Sequence, residues 1–225
     1  MQYLNFKKDI YHVFLDNELI LLDIVSDDFI FFDLKESLSI KKFIETNGNF
    51  NDNNKSIIFC KQFLEYTNTP PKLLIYNNIN GVDAHSWRDV KFYLKHPKHR
   101  LTIKNKILII IICFFIFNFK SLNSRIKLFK FLKNKYKNSF NKIDNFANSS
   151  NIYIHSVLKF LPYQAKCLEH SFILGIYLIL NGYNCNINFG VQKYNFLSHA
   201  WVDLNNVVIG DNPNLSSDIA KILTI

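Results

Sequence analysis

Near the start of the chain, short runs of aromatic and β-branched residues alternate with turn residues. The runs IYHVFL, LILLDIV and FIFFD lie within residues 10–33 and are separated by turns that contain Asp and Asn. Such runs, cut by such turns, are typical of antiparallel hairpins. Residues 10–33 are therefore predicted to form three strands.

Helical spacing of apolar residues follows these strands. The segments LKESLSIKKFIE and KSIIFCKQFLEY, residues 34–45 and 55–66, each repeat apolar residues at three- and four-residue intervals. Asn47-Gly48-Asn49 separates the two predicted helices, and Thr69-Pro70-Pro71 ends the unit. A three-stranded sheet followed by two helices predicts a small winged-helix-like module over residues 1–75.

The middle of the chain, residues 76–150, is predicted to be a mostly helical, basic connecting segment. Its apolar run at 107–119 is too short to span a bilayer, and a buried core helix is the better interpretation. Lysines on both sides of the run leave contact with a membrane surface as the alternative, and we expect it less. Residues 141–153 are polar enough to predict an irregular connection.

The last third, residues 151–225, combines one strong helix with a small sheet. KCLEHSFILGIYLILNGY predicts a helix whose first turn contains Cys167. CNINFGV and LSHAWVDL alternate as strands, and Asn205-Asn206 predicts a tight turn into the strand VVIGD. The predicted fold class of the whole chain is therefore α+β.

Charge and cysteine usage narrow the function classes. The net charge of +9 arises from residues 90–143, which contain 14 Lys and Arg and no acidic residue. This segment could meet an acidic surface, or it could be a solvated helical face. The four cysteines have no framework spacing, and no signal peptide precedes the strands, so a cytoplasmic protein without disulfides is expected. No phosphate loop or metal-ligand spacing occurs, so no metal or cofactor is predicted.

Three residues of the last third suggest thiol chemistry. Cys167 opens a predicted helix, where free N–H groups and the helix dipole lower the pKa of a thiol. His199 lies inside a predicted strand, and Asp211 follows the next strand. A nucleophile, a base beside it and a third group that orients the base form the general arrangement of nucleophilic catalysis. The order of these residues predicts a papain-like or transglutaminase-like thiol site.

The predicted hairpin does not decide which residue orients His199. A strict two-residue turn at 205–206 pairs residue 204 with 207, and hence His199 with Asn212, so that Asp211 would point to the opposite face. Either a bulge at Gly210 turns Asp211 back toward His199, or Asn212 is the orienting group.

The same stretch resembles a known family, the lasso-peptide B proteins, which are leader peptidases of microcin J type lasso-peptide biosynthesis. The resemblance is carried by Cys167-Leu168, Phe189-Gly190-Val191, His199-Ala200-Trp201-Val202-Asp203 and Asp211-Asn212-Pro213-Asn214. At the other end, NELILLDIVSDDFIFFDLKESLS resembles the leader-recognition module of that family. The resemblance implies that Cys167, His199 and Asp211 are catalytic, and it favours Asp211 over Asn212.

The resemblance also implies a role and partners. The N-terminal module would capture the leader of a precursor peptide, and the C-terminal cysteine peptidase domain would cleave the leader from the core peptide. A partner cyclase similar to asparagine synthetases would then use ATP to close the ring. We expect an extended leader to add to the edge strand Phe29-Ile30-Phe31-Phe32, although half of these aromatic positions are expected to face the module's own core.

Other functions stay open at this point. A thiol acyltransferase or transglutaminase would use the same three residues with an amine acceptor in place of water. A non-catalytic leader-binding chaperone would not need the thiol at all. A nucleic-acid binder based on the basic segment would leave the Cys-His-Asp set unexplained, and we do not expect one.

Overall fold

The computed structural model describes residues 2–50, 55–82, 101–136, 145–162, 165–193 and 195–225. Backbone contacts divide the chain into two units, Met1–Ile79 and Asn80–Ile225. The basic residues at 90–100 and 137–143, and the start of the predicted connection at 141–144, lie outside the described residues. From residue 80 onward the described part of the middle segment belongs to the second unit, and its separate role as a connecting segment stays a prediction.

The first unit contains a four-stranded sheet, a two-stranded ribbon and two helices. Its strands are β1 Tyr3–Phe6, β2 Ile10–Leu15, β3 Glu18–Asp23, β4 Asp28–Phe31, β5 Leu64–Thr67 and β6 Ile75–Tyr76, and its helices are α1 Leu34–Glu45 and α2 Lys55–Cys60. The strands of the larger sheet follow the order β4-β3-β2-β6, and β1 pairs with β5. The three predicted strands and the first predicted helix are therefore present.

Local turn and cap chemistry explains this hairpin and the helix after it. Asp16 and Asn17 take positive φ between β2 and β3, as a two-residue hairpin turn requires. Asp33 accepts a hydrogen bond from the backbone N–H of Glu36, and Glu36 accepts one from the N–H of Asp33, which is a capping box at the start of α1. Each of these features involves residues close together in sequence.

The second predicted helix is only partly correct. The helix α2 ends at Cys60, a single 3₁₀ turn covers Lys61–Phe63, and Leu64–Thr67 is a strand. This strand pairs with β1, which the pattern of the sequence did not predict. Tertiary pairing with a strand about 60 residues away in the sequence overrides the local helical spacing here.

The second unit surrounds one buried helix. Its helices are α3 Ile103–Asn118, α4 Leu122–Lys135, α5 Asn145–Leu158, α6 Cys167–Leu180 and α7 Leu215–Asp218, and its strands are β7 Asn186–Gln192, β8 Leu197–Leu204, β9 Val207–Ile209 and β10 Ala220–Thr224. The strands form one antiparallel sheet in the order β10-β7-β8-β9. Helix α6 packs against β8 on one side and against α3, α4 and α5 on others.

Two expectations for the helical part need correction. The predicted irregular connection is wrong from residue 145 onward, because α5 begins there. The apolar run is a helix, as predicted, but only one face of α3 is buried. No helix among the described residues has both the length and the hydrophobicity needed to cross a membrane.

Candidate active site

Cys167 is the first residue of α6 and is partly exposed. The carboxylate of Glu169 accepts a hydrogen bond of 3.0 Å from the backbone N–H of Lys166, which closes the first turn of the helix. From His170 to Ile179 every residue of α6 is buried, so the helix is anchored along its length and presents its N-terminus at the surface of the unit. The thiol therefore lies where unpaired helical N–H groups favour an anion.

His199 lies in β8, where it pairs with Gly190 of β7 and is buried. Its Nε2 atom is 2.8 Å from Oδ2 of Asp211. Since Asp211 takes Nε2, Nδ1 is the ring nitrogen left for Cys167, whose side chain hydrogen-bonds to His199. The structure thus brings Cys167, His199 and Asp211 together, in the arrangement that a nucleophile, a base and an orienting carboxylate require.

Gly210 explains how Asp211 reaches His199. The hairpin has the register expected for a two-residue turn, with Leu204 opposite Val207, and pairing stops at Ile209. Gly210 then takes φ +72°, a left-handed conformation that few residues other than glycine adopt. The chain leaves the ladder at this point, and Asp211 turns back toward His199. Of the two alternatives that the sequence left open, the structure adopts the irregular backbone at Gly210.

The electrostatics of the three residues favour a thiolate and an imidazolium. Burial raises the pKa of Cys167, but the hydrogen bond and charge of His199, with backbone hydrogen bonds at Ala200 and Leu168, bring it below its ordinary value of 9.0. Burial lowers the pKa of His199, but hydrogen bonds to Asp211 and Cys167 raise it overall to about 9. Both shifts favour the ion pair of thiolate and imidazolium over the neutral pair, and the thiolate is the reactive form of a cysteine nucleophile.

The other cysteines are different. Cys60, Cys113 and Cys185 are buried, and burial raises the pKa of each thiol to about 12. Each therefore stays a protonated thiol at neutral pH and behaves as a small apolar side chain. Among the four cysteines, Cys167 alone has a lowered pKa.

A buried amide supports the turn that carries Asp211. The side chain of Asn151 in α5 donates a hydrogen bond of 2.9 Å to the carbonyl of Gly210. The same side chain presents Oδ1 to Nε2 of His170, 2.6 Å away. A Cβ atom on Gly210 would lie only 2.5 to 2.7 Å from Asn151, so the amide packs directly on the glycine. Asn151 thus joins α5, α6 and the turn before Asp211.

Sequence reasoning did not single out Asn151, because its position depends on how α5 packs against α6. His170, three residues after Cys167 in α6, is a second imidazole near the site. Burial, with a smaller effect of the neighbouring His155, lowers the pKa of His170 to about 3. A neutral His170 donates its Nε2–H to Asn151 and does not carry the positive charge that stabilises a thiolate.

A largely buried ion pair anchors α6, the helix that begins at Cys167, to α4. Arg125 donates to the carboxylate of Glu169 at 2.9 Å, and the side chains are 10% and 15% exposed. Nε of Arg125 also donates to the carbonyl of Phe119 at 2.9 Å. One cation of the basic middle segment is therefore part of the support of the candidate site.

Asp203, two positions beyond Trp201 along β8, makes its contacts with residues of the sheet. Its carboxylate is buried and accepts hydrogen bonds from the amides of Asn186 and Asn188 at 2.9 and 2.6 Å, with Lys221 at 3.7 Å. The ring of Trp201 is stacked on the ring of His199, with centroids 6.3 Å apart. These contacts explain the alternating polar and aromatic residues of β8 without a catalytic role for Asp203.

The four predicted substrate-binding residues lie at the edge of the first unit's sheet. β4 is the terminal strand and pairs with β3, and it contains Phe29, Ile30 and Phe31. Phe31 is exposed, whereas Phe32 is buried in the core. The centroid of its ring lies 6.1 Å from that of Phe59 in α2. The side chain of Phe32 thus belongs to the module's own core, and the roles of the four residues stay a prediction.

The geometry defines a class of site, a thiol nucleophile with an imidazole and a carboxylate on an α+β scaffold. Residues 141–224 match the family model described as the transglutaminase-like superfamily. This range includes α6, β8 and Asp211, so the chain carries a transglutaminase-like domain with a papain-like core. No curated protein and no solved structure matches the chain. The superfamily commonly includes cysteine proteases, and its domain fits a cysteine peptidase or acyltransferase type of activity.

Proposed function

We propose that the chain is a cysteine peptidase that binds the leader of a lasso-peptide precursor and cleaves it from the core peptide. The observation that carries the peptidase part is the arrangement of Cys167, His199 and Asp211, in which the pKa of the thiol is lowered and that of the imidazole is raised. The leader-specific part rests on the resemblance of both ends of the chain to the lasso-peptide B proteins.

The proposed reaction has two steps. The Cys167 thiolate attacks the carbonyl carbon of the scissile amide, and backbone N–H groups at the start of α6 stabilise the oxyanion that forms. His199 gives its proton to the leaving amine, which releases the core peptide with a free N-terminus and leaves the leader as a thioester. A water molecule, deprotonated by His199, then hydrolyses the thioester and restores the thiol.

The first unit supplies support for leader capture. The terminal strand β4 leads directly into α1, and the side chains of Phe31, Leu34 and Leu38 are exposed along this path. Phe59 and Ile58 of α2 are exposed as well. An extended peptide can add to a sheet edge through main-chain hydrogen bonds while its apolar side chains contact such a surface. We propose that this edge and the start of α1 form the leader-recognition surface of a winged-helix-like module.

The partners follow from the same proposal. The freed amine of the core peptide would be the substrate of an asparagine-synthetase-like cyclase, which would use ATP to activate a side-chain carboxylate. ATP chemistry is assigned to that partner, and no cofactor is assigned to this chain.

The proposal predicts a short precursor-peptide gene beside the gene of this chain, and the experiment incubates the peptide that it encodes with the full-length protein and analyses the products by mass spectrometry. Hydrolysis yields leader and core peptides whose masses sum to that of the precursor plus one water. Cys167→Ala should abolish both products while leader binding persists. Release of core peptide by Cys167→Ala at the wild-type rate would refute the peptidase assignment.

Two competing functions give different results in the same assay. An acyltransferase joins the acyl group to an added amine, so its product lacks the mass of the water. A leader-binding chaperone yields no cleavage by the wild type and retains its effect on the cyclase in Cys167→Ala. The lowered pKa of Cys167 favours the enzymatic functions, since a chaperone has no need of a reactive thiolate.

A further inference from the structure

Helix α3 has an apolar face that the fold leaves exposed. The six residues of this outer face recur at three- and four-residue intervals, which places them on one side of the helix. They are Ile103, Ile107, Ile110, Ile111, Phe114 and Phe115, and all are exposed. With a rise of about 1.5 Å per residue the outer face is roughly 18 Å long. Exposed apolar patches of this extent mark an interaction surface.

The opposite face of α3 already accounts for the packing of the unit. Ile109, Ile112, Cys113 and Ile116 are buried, and α3 packs against α5 and α6. The fold therefore needs only the inner face of the helix to be apolar. The Ile and Phe residues of the outer face have no role in that core. A polar residue at each of those positions would therefore be compatible with the same packing.

The charge of the residues around the outer face indicates what kind of surface it binds. Residues 90–143 contain 14 Lys and Arg and no Asp or Glu. Within the described part of this segment, exposed lysines lie between the first two residues of the outer face, at Lys104 and Lys106, and after its last residue, at Lys120, and others lie along α4 at Lys127 and Lys130. An apolar helix face bordered by lysines is the pattern of a helix that lies in the headgroup region of an anionic membrane.

The composition of the outer face argues against a protein partner. Cores of protein interfaces are enriched in aromatic residues, Met and Arg and depleted of Lys, so the two Phe residues suit either kind of partner and the lysines argue against a protein. The outer face contains Ile and Phe, and lysines adjoin it. Lysine side chains reach outward to phosphate groups while the apolar side chains below them enter the acyl region.

The length of α3 sets its orientation. Its 16 residues extend over roughly 24 Å, short of the roughly 30 Å of a bilayer's hydrocarbon core. The inner face is also occupied by protein, so the helix would lie parallel to the surface. We propose that the outer face of α3 and its flanking lysines bind the surface of an anionic membrane. This goes beyond the proposed peptidase function and does not depend on it.

The test is co-sedimentation of the full-length protein with vesicles. One set contains phosphatidylcholine with about a third phosphatidylglycerol, and the other contains phosphatidylcholine alone. The protein should bind the anionic vesicles about 10-fold more tightly or better, and high salt should weaken this binding because it screens the lysines. Lys104→Glu with Lys106→Glu should remove most of the preference for anionic lipid.

A matched pair of variants locates the surface. Ile107 is 52% exposed and Val207, at the start of β9, is 49% exposed, so replacing either by Glu makes the same charge change at a similarly exposed aliphatic residue. Ile107→Glu should weaken vesicle binding about 10-fold or more, because it puts a charge where apolar atoms would enter the lipid. Val207→Glu should bind like the wild type. Circular dichroism checks that both variants are folded.

Three outcomes would overturn the proposal. They are the absence of vesicle binding by the wild type, binding that Ile107→Glu leaves unchanged, and equal loss of binding in both variants. Light scattering measures the oligomeric state and so tests whether a second copy of the chain binds the outer face instead. A wild-type dimer that Ile107→Glu converts to a monomer, without vesicle binding, would make the outer face a self-association surface and refute membrane binding.

Discussion

Replacing Gly210 by Ala should uncouple Asp211 from His199 without touching any of the proposed catalytic residues. An alanine at φ +72° costs roughly 1–2 kcal/mol in backbone strain. Its Cβ atom would also lie 2.5 Å from Cγ of Asn151, and overpacking of this kind costs typically about 1–3 kcal/mol. Together these costs, about 2–5 kcal/mol, are at least as large as the roughly 1.5–3 kcal/mol of a hydrogen bond to a charged group. We therefore expect the turn to move and the bond between Asp211 and His199 to break.

The consequence for protonation has a definite sign. Burial, the largest effect on His199, lowers its pKa, and the hydrogen bond to Asp211 is the first of the effects that raise it to about 9. Without Asp211, the pKa of His199 should fall from about 9, and the neutral imidazole should no longer stabilise the thiolate. The pKa of Cys167 should then rise, since His199 is the main group that lowers it. Each unit of increase reduces the thiolate fraction below the pKa about 10-fold.

The assay is the pH dependence of Cys167 alkylation by iodoacetamide, followed by peptide mass spectrometry. It needs no peptide substrate, and the other three thiols, whose pKa values are about 12, should stay unmodified in the folded protein. In the wild type the midpoint should lie below 9.0, and in Gly210→Ala it should lie higher. NMR titration of His199 measures the pKa of its imidazole directly.

Gly182→Ala is the matched control. Gly182 also has positive φ, at +93°, and follows the end of α6, far along the helix from Cys167. The backbone strain should lower the free energy of unfolding in both variants, but only Gly210→Ala should change the alkylation profile. Identical profiles for Gly210→Ala and the wild type, with an unchanged His199 pKa, would show that the turn does not control the thiol.

The remaining predictions concern the orienting group, the buried ion pair and leader capture. Asp211→Ala should lower cleavage roughly 10-fold or more, and Asn212→Ala should not; the reverse result in initial rates would make Asn212 the orienting group. Arg125→Ala removes the charge partner of a partly buried carboxylate on α6, so urea unfolding should show a loss of roughly 1.5–3 kcal/mol, whereas the exposed Lys127→Ala should show almost none. Phe31→Pro removes an N–H at the sheet edge; fluorescence anisotropy should show weaker leader binding by the full-length variant with unchanged alkylation of Cys167, and equal affinity would move recognition elsewhere.

Elements set by neighbouring residues could be predicted from the sequence. The β2–β3 turn takes positive φ at an Asp-Asn pair, and the β8–β9 turn takes it at Asn205 and Asn206. α1 begins with a capping box and α6 with Cys167 as its first residue. These features depend on side chains within about four positions of each other, and local chemistry of this kind is readable from a single sequence.

Elements set by distant residues could not be predicted in this way. Strand β5 lies in a stretch with helical spacing, and it exists because β1 pairs with it across most of the first unit. Strand β10 pairs with β7, about 30 residues earlier in the chain. The support that Asn151 gives to Gly210 requires α5 to lie against β9, and no spacing in the sequence reveals that contact. For the site, the order of residues predicted that Cys167, His199 and Asp211 lie together, and missed the amide that holds the turn before Asp211.

The Lys and Arg side chains of the basic middle segment form two groups, according to the contacts that each makes. Arg125 binds Glu169 on the helix of the nucleophile, and Lys133 donates to Asn186 of β7 at 2.7 Å, so both point into the unit. The other lysines of α3 and α4 are exposed. A net charge alone does not distinguish these groups, because both contribute equally to it. Their physical roles differ, since the inward cations stabilise the fold around Cys167, whereas the outward cations can act only on what approaches the surface. Neutralising the outward lysines should therefore change surface binding and leave the reactivity of the thiol unaltered.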